Sequence, residues 1–225
     1  MADEANRGVL VWDGWIRAFH WSIVALLAIS WVAMETGNKE AHYLSGYAVL
    51  SLLLFRIAWG VAGSDTARFS RFLRSPSAAL RHIAQFRRHG PDGEIGHNAA
   101  GGWMILMLLG LLLVQAGTGL FANHEPGFTY DAHGPLALTV RDGTSAWLTG
   151  IHRLVFNLIL AAVGVHILAV LAYQVLKGHD LIGPMLTGRK TLPLGQAAPR
   201  MGSPVLAGGL LAAAVLAVWG ITRLG

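Results

Sequence analysis

His152 and His166 stand fourteen residues apart in IHRLVFNLILAAVGVH, a stretch that is apolar almost throughout. Imidazole side chains in such a place are ligands for a soft metal or for haem iron. Fourteen residues is close to four helical turns, so both rings project from one side of a helix, roughly 21 Å apart along its axis. That separation places them near opposite edges of a bilayer's hydrocarbon core. The chain contains no cysteine. Disulfides, thiol nucleophiles, Cys-ligated iron–sulfur clusters and covalent C-x-x-C-H haem attachment are thereby excluded. The ten histidines are the ligands that remain.

The elements that must hold these rings are membrane helices. Of 225 residues, 54% are hydrophobic and 13% charged, against about 25% charged in a soluble domain. Five apolar segments are each near spanning length. They cover about Trp15 to Met34, Tyr43 to Val61, Ala99 to Phe121, Ile151 to Leu176 and Val205 to Ile221. The first does not read as a signal peptide, because charged residues, including Asp13 and Arg17, stand at its start and no A-x-A site follows. The expected fold is an all-α integral membrane protein with five spanning helices, the fifth of them C-terminal. The net charge of +5 reflects membrane topology and contact with anionic lipid headgroups, not nucleic-acid binding.

Lys and Arg set the orientation. The 62–98 loop carries Arg68, Arg71, Arg74, Arg81, Arg87 and Arg88, and the 177–204 segment carries Lys177, Arg189, Lys190 and Arg200. The 35–42 loop sets Lys39 against Glu35 and Glu40, and the 122–150 loop sets Arg141 against Glu125, Asp131 and Asp142. The basic loops therefore face the cytoplasm. The N-terminus is expected inside and the C-terminus outside. The 70–90 stretch, SRFLRSPSAALRHIAQFRRHG, reads as an interfacial amphipathic helix. The 122–150 loop reads as irregular.

With that topology, His20 lies near the inner side of the first helix and His42 at the outer end of the second. On the fourth helix His152 is outer and His166 inner. Depth pairs His20 with His166 and His42 with His152. Two matched pairs suit two six-coordinate haems b, held non-covalently by two imidazoles each. Gly46, Gly110, Gly117, Ala161, Ala162 and Gly164 would give room for the macrocycle or for close helix approach. A lone intramembrane histidine is also an ordinary hydrogen-bonding residue, but four at two matched depths are poorly explained that way. A metal transporter would favour a midplane cluster with carboxylates, which these segments lack.

Arg56, fourteen residues after His42, is expected to meet a propionate of the inner haem, and Arg153 one of the outer haem. Interfacial snorkelling is the plain alternative for each, and Arg17 is a weaker candidate of the same kind. His97 before the third helix is read as a propionate or quinone-head contact, or as a helix cap, and His124 similarly. His82, His89, His133 and His179 are read as surface or loop residues. Trp12, Trp15, Trp21, Trp31, Trp59 and Trp103 are read as an interfacial belt.

Five stretches carry a family resemblance: VWDGWIRAFHW, GYAVLSLLLFRIAWGVAG with the following ARF, GHNAAGG, IHRLVFNLILAAVGVH, and HDLIGPMLTGRK. Together they cover about residues 10–191. The chain resembles the cytochrome b561 family, specifically the bacterial and nickel–iron hydrogenase b-type cytochrome group. The resemblance implies a four-helix bundle with two haems b. It carries the first-helix ligand onto His20, the second-helix ligand onto His42, and the two fourth-helix ligands onto His152 and His166. It implies the same pairing as the depth argument. Residues 1–191 are then the dihaem domain, and residues 192–225 a linker and an additional helix that the family pattern does not include.

The expected function is a multi-pass cytochrome of the bacterial inner membrane. It passes electrons between a periplasmic partner (a hydrogenase, a cytochrome c or a dehydrogenase) and the quinone pool. It is an electron-transfer protein, or the membrane subunit of an oxidoreductase complex, and no catalytic residue is expected. A superoxide:quinone oxidoreductase is the alternative, disfavoured because the outer loops are net acidic and would repel an anion. A non-redox metal transporter or a structural membrane subunit stands further back.

Overall fold

The computed structural model describes residues 6–87, 94–123, 133–193 and 196–224. Five helices are long and apolar enough to cross a membrane: α1 (Gly14–Glu35), α2 (Lys39–Ala62), α5 (Ala99–Gly119), α6 (Asp142–Lys177) and α8 (Pro204–Ile221). The protein is a multi-pass, all-α membrane protein in these elements. Hydrocarbon offers the main chain no hydrogen-bond partners, so an apolar run that crosses it satisfies its own backbone as a helix. Half of α2's most apolar window is buried, against 17% for each of the other four. α2 is therefore the packed helix, while the others turn most of their apolar surface outward.

Polar residues mark where helices begin. Asp13 Oδ1 accepts from Ile16 N at 2.7 Å ahead of α1, and Asn38 Oδ1 accepts from Ala41 N at 3.1 Å ahead of α2. Asn98 Oδ1 accepts from Gly101 N at 2.7 Å ahead of α5. These side chains satisfy amide donors that have no partner within the first turn. Gly37, at φ +68°, closes the end of α1, so the chain turns and reaches the Asn38 cap at once.

Short elements fill the connections. α3 (Phe69–Phe72) and α4 (Pro76–Ala84) stand where one interfacial helix was expected over residues 70–90. Ser75, with Pro76 behind it, starts α4 afresh; its hydroxyl accepts from Ala78 N at 3.3 Å. Leu80 and Ile83 on α4 remain exposed, as an interfacial helix requires. α7 (Ile182–Thr187) precedes strand β2 (Arg189–Pro193), which pairs antiparallel with β1 (Asn6–Leu10). This small sheet was not expected from the sequence.

Two compact units make up the chain. The first comprises Met1–Ala18, Ala58–Met107 and Val163–Ala207; the second comprises Phe19–Ile57, Leu108–Ala162 and Gly208–Gly225.

The first unit is knotted around Asp13 and Gly188. Asp13 is buried; its Oδ2 accepts from Trp59 Nε1 at 3.1 Å, and Trp59 is wholly buried. Val11 N and Trp12 N both donate to Gly188 O, at 2.8 and 3.1 Å. Thr66 Oγ1 donates to Val11 O at 2.6 Å, and Arg17 Nη1 to Leu186 O at 2.9 Å. Gly188 has φ +81°, and a Cβ there would stand 2.8 Å from Trp12 O. Only glycine meets both demands. Trp12 and Trp59 are thus core residues, not members of an interfacial belt; Trp21, Trp31 and Trp103 are exposed, as a belt requires.

In the second unit, Leu50 of α2, Leu120 and Val218 of α8 form a buried cluster, with Tyr47, Leu54 and Ala116 packed against it. α6 begins nine residues before the expected Ile151. Ser145 Oγ donates to Phe121 O at 2.7 Å, and Asn123 N donates to Thr149 Oγ1 at 2.9 Å. These hydroxyls pin the polar first turns of α6 to the chain that leaves α5.

Candidate functional site

The second unit brings His42 of α2 and His152 of α6 together. Their ring centroids are 6.3 Å apart and their planes meet at 75°. Each ring is held through Nδ1. His42 Nδ1 lies 3.1 Å from Ser30 O and 3.1 Å from Ser30 Oγ on α1. His152 Nδ1 lies 2.9 Å from Gln115 O on α5, with Thr118 Oγ1 at 3.3 Å. A main-chain carbonyl can only accept, so Nδ1 carries the proton in both rings. The lone pair of each ring is then on Nε2. This is the arrangement expected of a metal-ligating histidine, whose remote N–H is fixed by a carbonyl.

The spacing suits one metal atom shared by the two rings. An imidazole nitrogen binds a metal at about 2 Å, and the ring centre lies about 1 Å beyond it. Two imidazoles on opposite sides of one atom thus have centroids about 6 Å apart. Gln115 Nε2 stands 3.0 Å from His152 Nε2. The amide N–H there is a hydrogen-bond donor in the place where a Lewis acid would meet the lone pair. Gln115 Oε1 is buried and has no hydrogen-bond partner among the described residues.

A cavity of about 430 Å³ surrounds the pair, within the range of small-molecule and cofactor sites. Leu27, Val49, Leu112 and Ile159 give it apolar walls, and Trp31, Glu35, Arg153 and Asn157 give it a polar side. The rings of Trp31 and Phe156 approach to 6.1 Å on one wall. Gly119 makes room for His152: a Cβ there would stand 2.9 Å from His152 Cε1. A Cβ at Gly46 would meet nothing within 4 Å, and Gly46 faces the cavity. The donor set, the carbonyl-fixed tautomers and the glycine clearance all fit a bis-histidine haem.

A family model for prokaryotic cytochrome b561 matches residues 11–188. The chain belongs to the prokaryotic cytochrome b561 family. No curated protein and no solved structure matched it. Membership makes this chain a membrane-embedded electron-transfer cytochrome and implies the haem b cofactors of that family. The matched segment opens at Val11 and closes at Gly188, the two residues joined by the Val11 N to Gly188 O bond. α8 lies outside it.

The other expected residues of this cytochrome are placed as follows. His20 is half-buried in the second unit, its ring 4.8 Å from that of Trp21. His166 is half-buried in the first unit. Arg56 is buried, at 3% exposure, which does not match a snorkelling side chain. Arg153 is exposed and lines the cavity. His97 does not cap α5, since Asn98 does; its ring lies between Trp12 and Phe72, at 4.7 and 4.8 Å. His82 is bound to Tyr173 Oη through Nε2 at 2.6 Å, and His179 packs on the same tyrosine. His133 is exposed but lines the cavity. His89 and His124 lie outside the described residues. Among the described residues, no group of three or more His, Asp or Glu could hold a metal ion.

Sequence reasoning missed Ser30, Gln115, Thr118 and Gly119. Gln115 was the one to find, because an amide inside LLLVQAGTG is a polar group in a membrane span and marks a functional position by default. Gly110, Gly117 and Gly164 do not mark close helix approach: a Cβ at each meets nothing within 4 Å.

Proposed function

We propose that this cytochrome is a dihaem b-type carrier that moves electrons across the inner membrane between a periplasmic redox partner and the quinone pool. His42 and His152 are the axial ligands of one haem, and His20 and His166 those of the other. The observation that carries the reading is the 6.3 Å separation of the His42 and His152 rings, each with Nδ1 on a main-chain carbonyl. His166 stands fourteen residues along the same unbroken helix from His152, roughly 21 Å by helical rise. That offset suits a second haem at the other face.

When bound, haem supplies a one-electron centre that alternates between ferric and ferrous iron. The chain does the rest. Ser30 O and Gln115 O hold the imidazoles in the tautomer that presents Nε2. The apolar walls exclude water and so favour the less charged iron state. Arg153 at the cavity, and Arg56 for the second haem, balance propionate charge.

The Lys/Arg bias puts the His42 and His152 end at the periplasm, the N-terminus in the cytoplasm and the C-terminus outside. Residues 1–191 form the dihaem module, and 192–225 are a linker with an appended helix. A hydrogenase, a cytochrome c or a dehydrogenase is the partner class, with this chain as the membrane subunit. The test is reconstitution into lipid vesicles that enclose ferricyanide. Dithionite added outside should reduce the enclosed acceptor when both haems are present, and not in His152→Ala or His20→Ala. Loaded vesicles that pass no electrons would contradict the proposal.

A further inference from the structure

Helix α4 bridges two spanning helices of the first unit. Trp103 Nε1 on α5 donates to Arg74 O at 3.0 Å just ahead of α4, and His82 Nε2 on α4 lies 2.6 Å from Tyr173 Oη on α6. Phe86 packs edge-on against the Tyr173 ring at 5.1 Å. Trp103 stands about one turn after the start of α5, and Tyr173 about one turn before the end of α6. Both anchors therefore sit where an apolar span gives way to the headgroup layer.

These contacts leave α4 with a second apolar face. Ala79 is buried and His82 half-buried on the side that meets the bundle. Leu80 and Ile83 are 68% and 60% exposed, and Pro76 and Ala84 are exposed as well. Helical spacing puts these four residues on one face, with Arg81 at its edge. Arg74 and Arg87, both exposed, stand beyond the two ends of the helix. Between Asp65 and Asp92 the chain carries six arginines and no acidic residue. Arg68 and Arg71 each stand 3.9 Å from Asp65. Among the described residues, Arg74, Arg81 and Arg87 meet no carboxylate. Lys177 adds positive charge at the same end, its Nζ 5.4 Å from the Phe86 ring centre.

An apolar strip edged by cations is complementary to an amphiphile with a negative head. A zwitterionic lipid would cover Leu80 and Ile83 equally well, but it brings its own ammonium group to the arginines. We propose that this face of α4 binds an anionic phospholipid, with the phosphodiester against Arg81 and the acyl chains along Leu80 and Ile83. Arg74 and Arg87 raise the local positive potential, and the His82–Tyr173 contact holds the face at the height of the headgroups. The site shares no residue with the His42–His152 cavity and does not depend on the dihaem reading.

The test uses the full chain in lipid nanodiscs and a phosphatidylglycerol with a diazirine on one acyl chain, its cross-links mapped by peptide mass spectrometry. Label is expected on residues 76–87, displaced by unlabelled phosphatidylglycerol and not by phosphatidylcholine. In detergent, native mass spectrometry should show phosphatidylglycerol binding about fivefold weaker in Arg81→Gln, with phosphatidylcholine binding unchanged. Arg81→Lys keeps the charge and should retain most of the affinity. Leu80→Asn combined with Ile83→Asn should weaken both lipids. Label that both lipids displace equally, or equal phosphatidylglycerol binding by wild type and Arg81→Gln, would overturn the proposal. Displacement by a polyglutamate peptide and not by phosphatidylglycerol would overturn it too, and would make α4 a protein-docking face.

Discussion

The Nδ1 atoms of His42 and His152 both point at helix carbonyls, Ser30 O and Gln115 O, while the rings themselves stand 6.3 Å apart. Helices α1 and α5 thereby aim the two imidazole rings that α2 and α6 carry. The site depends on all four.

Replacing one ligand should therefore remove one haem and spare the other. His42→Ala or His152→Ala should lower bound haem from two per chain to about one. The alkaline pyridine assay measures this directly. Loss of both haems would mean that the sites load together, and loss of neither would remove His42 and His152 from the ligand set.

Gly119→Ala sets a methyl group 2.9 Å from His152 Cε1. The ring must shift or the helices must part, at about 1–3 kcal/mol as for other overpacked sites. Haem content should fall and the α-band should broaden. Gly117→Ala, where a Cβ meets nothing, should leave both unchanged. Equal spectra for the two variants would contradict the clearance argument.

Gln115→Leu should act in the opposite direction. The side-chain amide occupies the lone pair of His152 Nε2, while the carbonyl that fixes the ring is main chain and survives the substitution. Haem titrated into the stripped variant should bind at least as tightly as to wild type, by up to about fivefold. Markedly weaker loading would show that the amide supports the haem instead of standing in its place.

Asp13→Ala removes the α1 cap and the Asp13 Oδ2 bond to the buried Trp59 indole. The cost should be about 2–4 kcal/mol, seen as a lower thermal midpoint. Asp13→Asn keeps an oxygen for the cap and should lose less. Identical midpoints for Asp13→Ala and wild type would contradict the assigned role.

The meeting of His42 and His152 was legible because depth along a helix is a one-dimensional quantity that the sequence spells out. The spans were legible for the same reason, since an apolar run of this length has one stable form in hydrocarbon. What escaped depends on contacts between distant residues. The strands NRGVL and RKTLP pair across most of the chain length, and neither has a partner nearby in sequence to announce it. Trp59 sits near a helix end like a belt residue, but Asp13 draws its indole inward. Gly119 looks no different from Gly117 until the His152 ring is placed beside it. The polar start of α6, DGTSAWLTG, has a weak helical pattern, and its Ser145 and Thr149 bonds hold it in place.

The most direct measurement is the haem b content per chain of the purified protein, taken with its reduced-minus-oxidised spectrum, for wild type and His152→Ala together. The account predicts two low-spin, six-coordinate haems b in the wild type and one in the variant. A wild-type chain without haem, or a variant that keeps both haems, would contradict it.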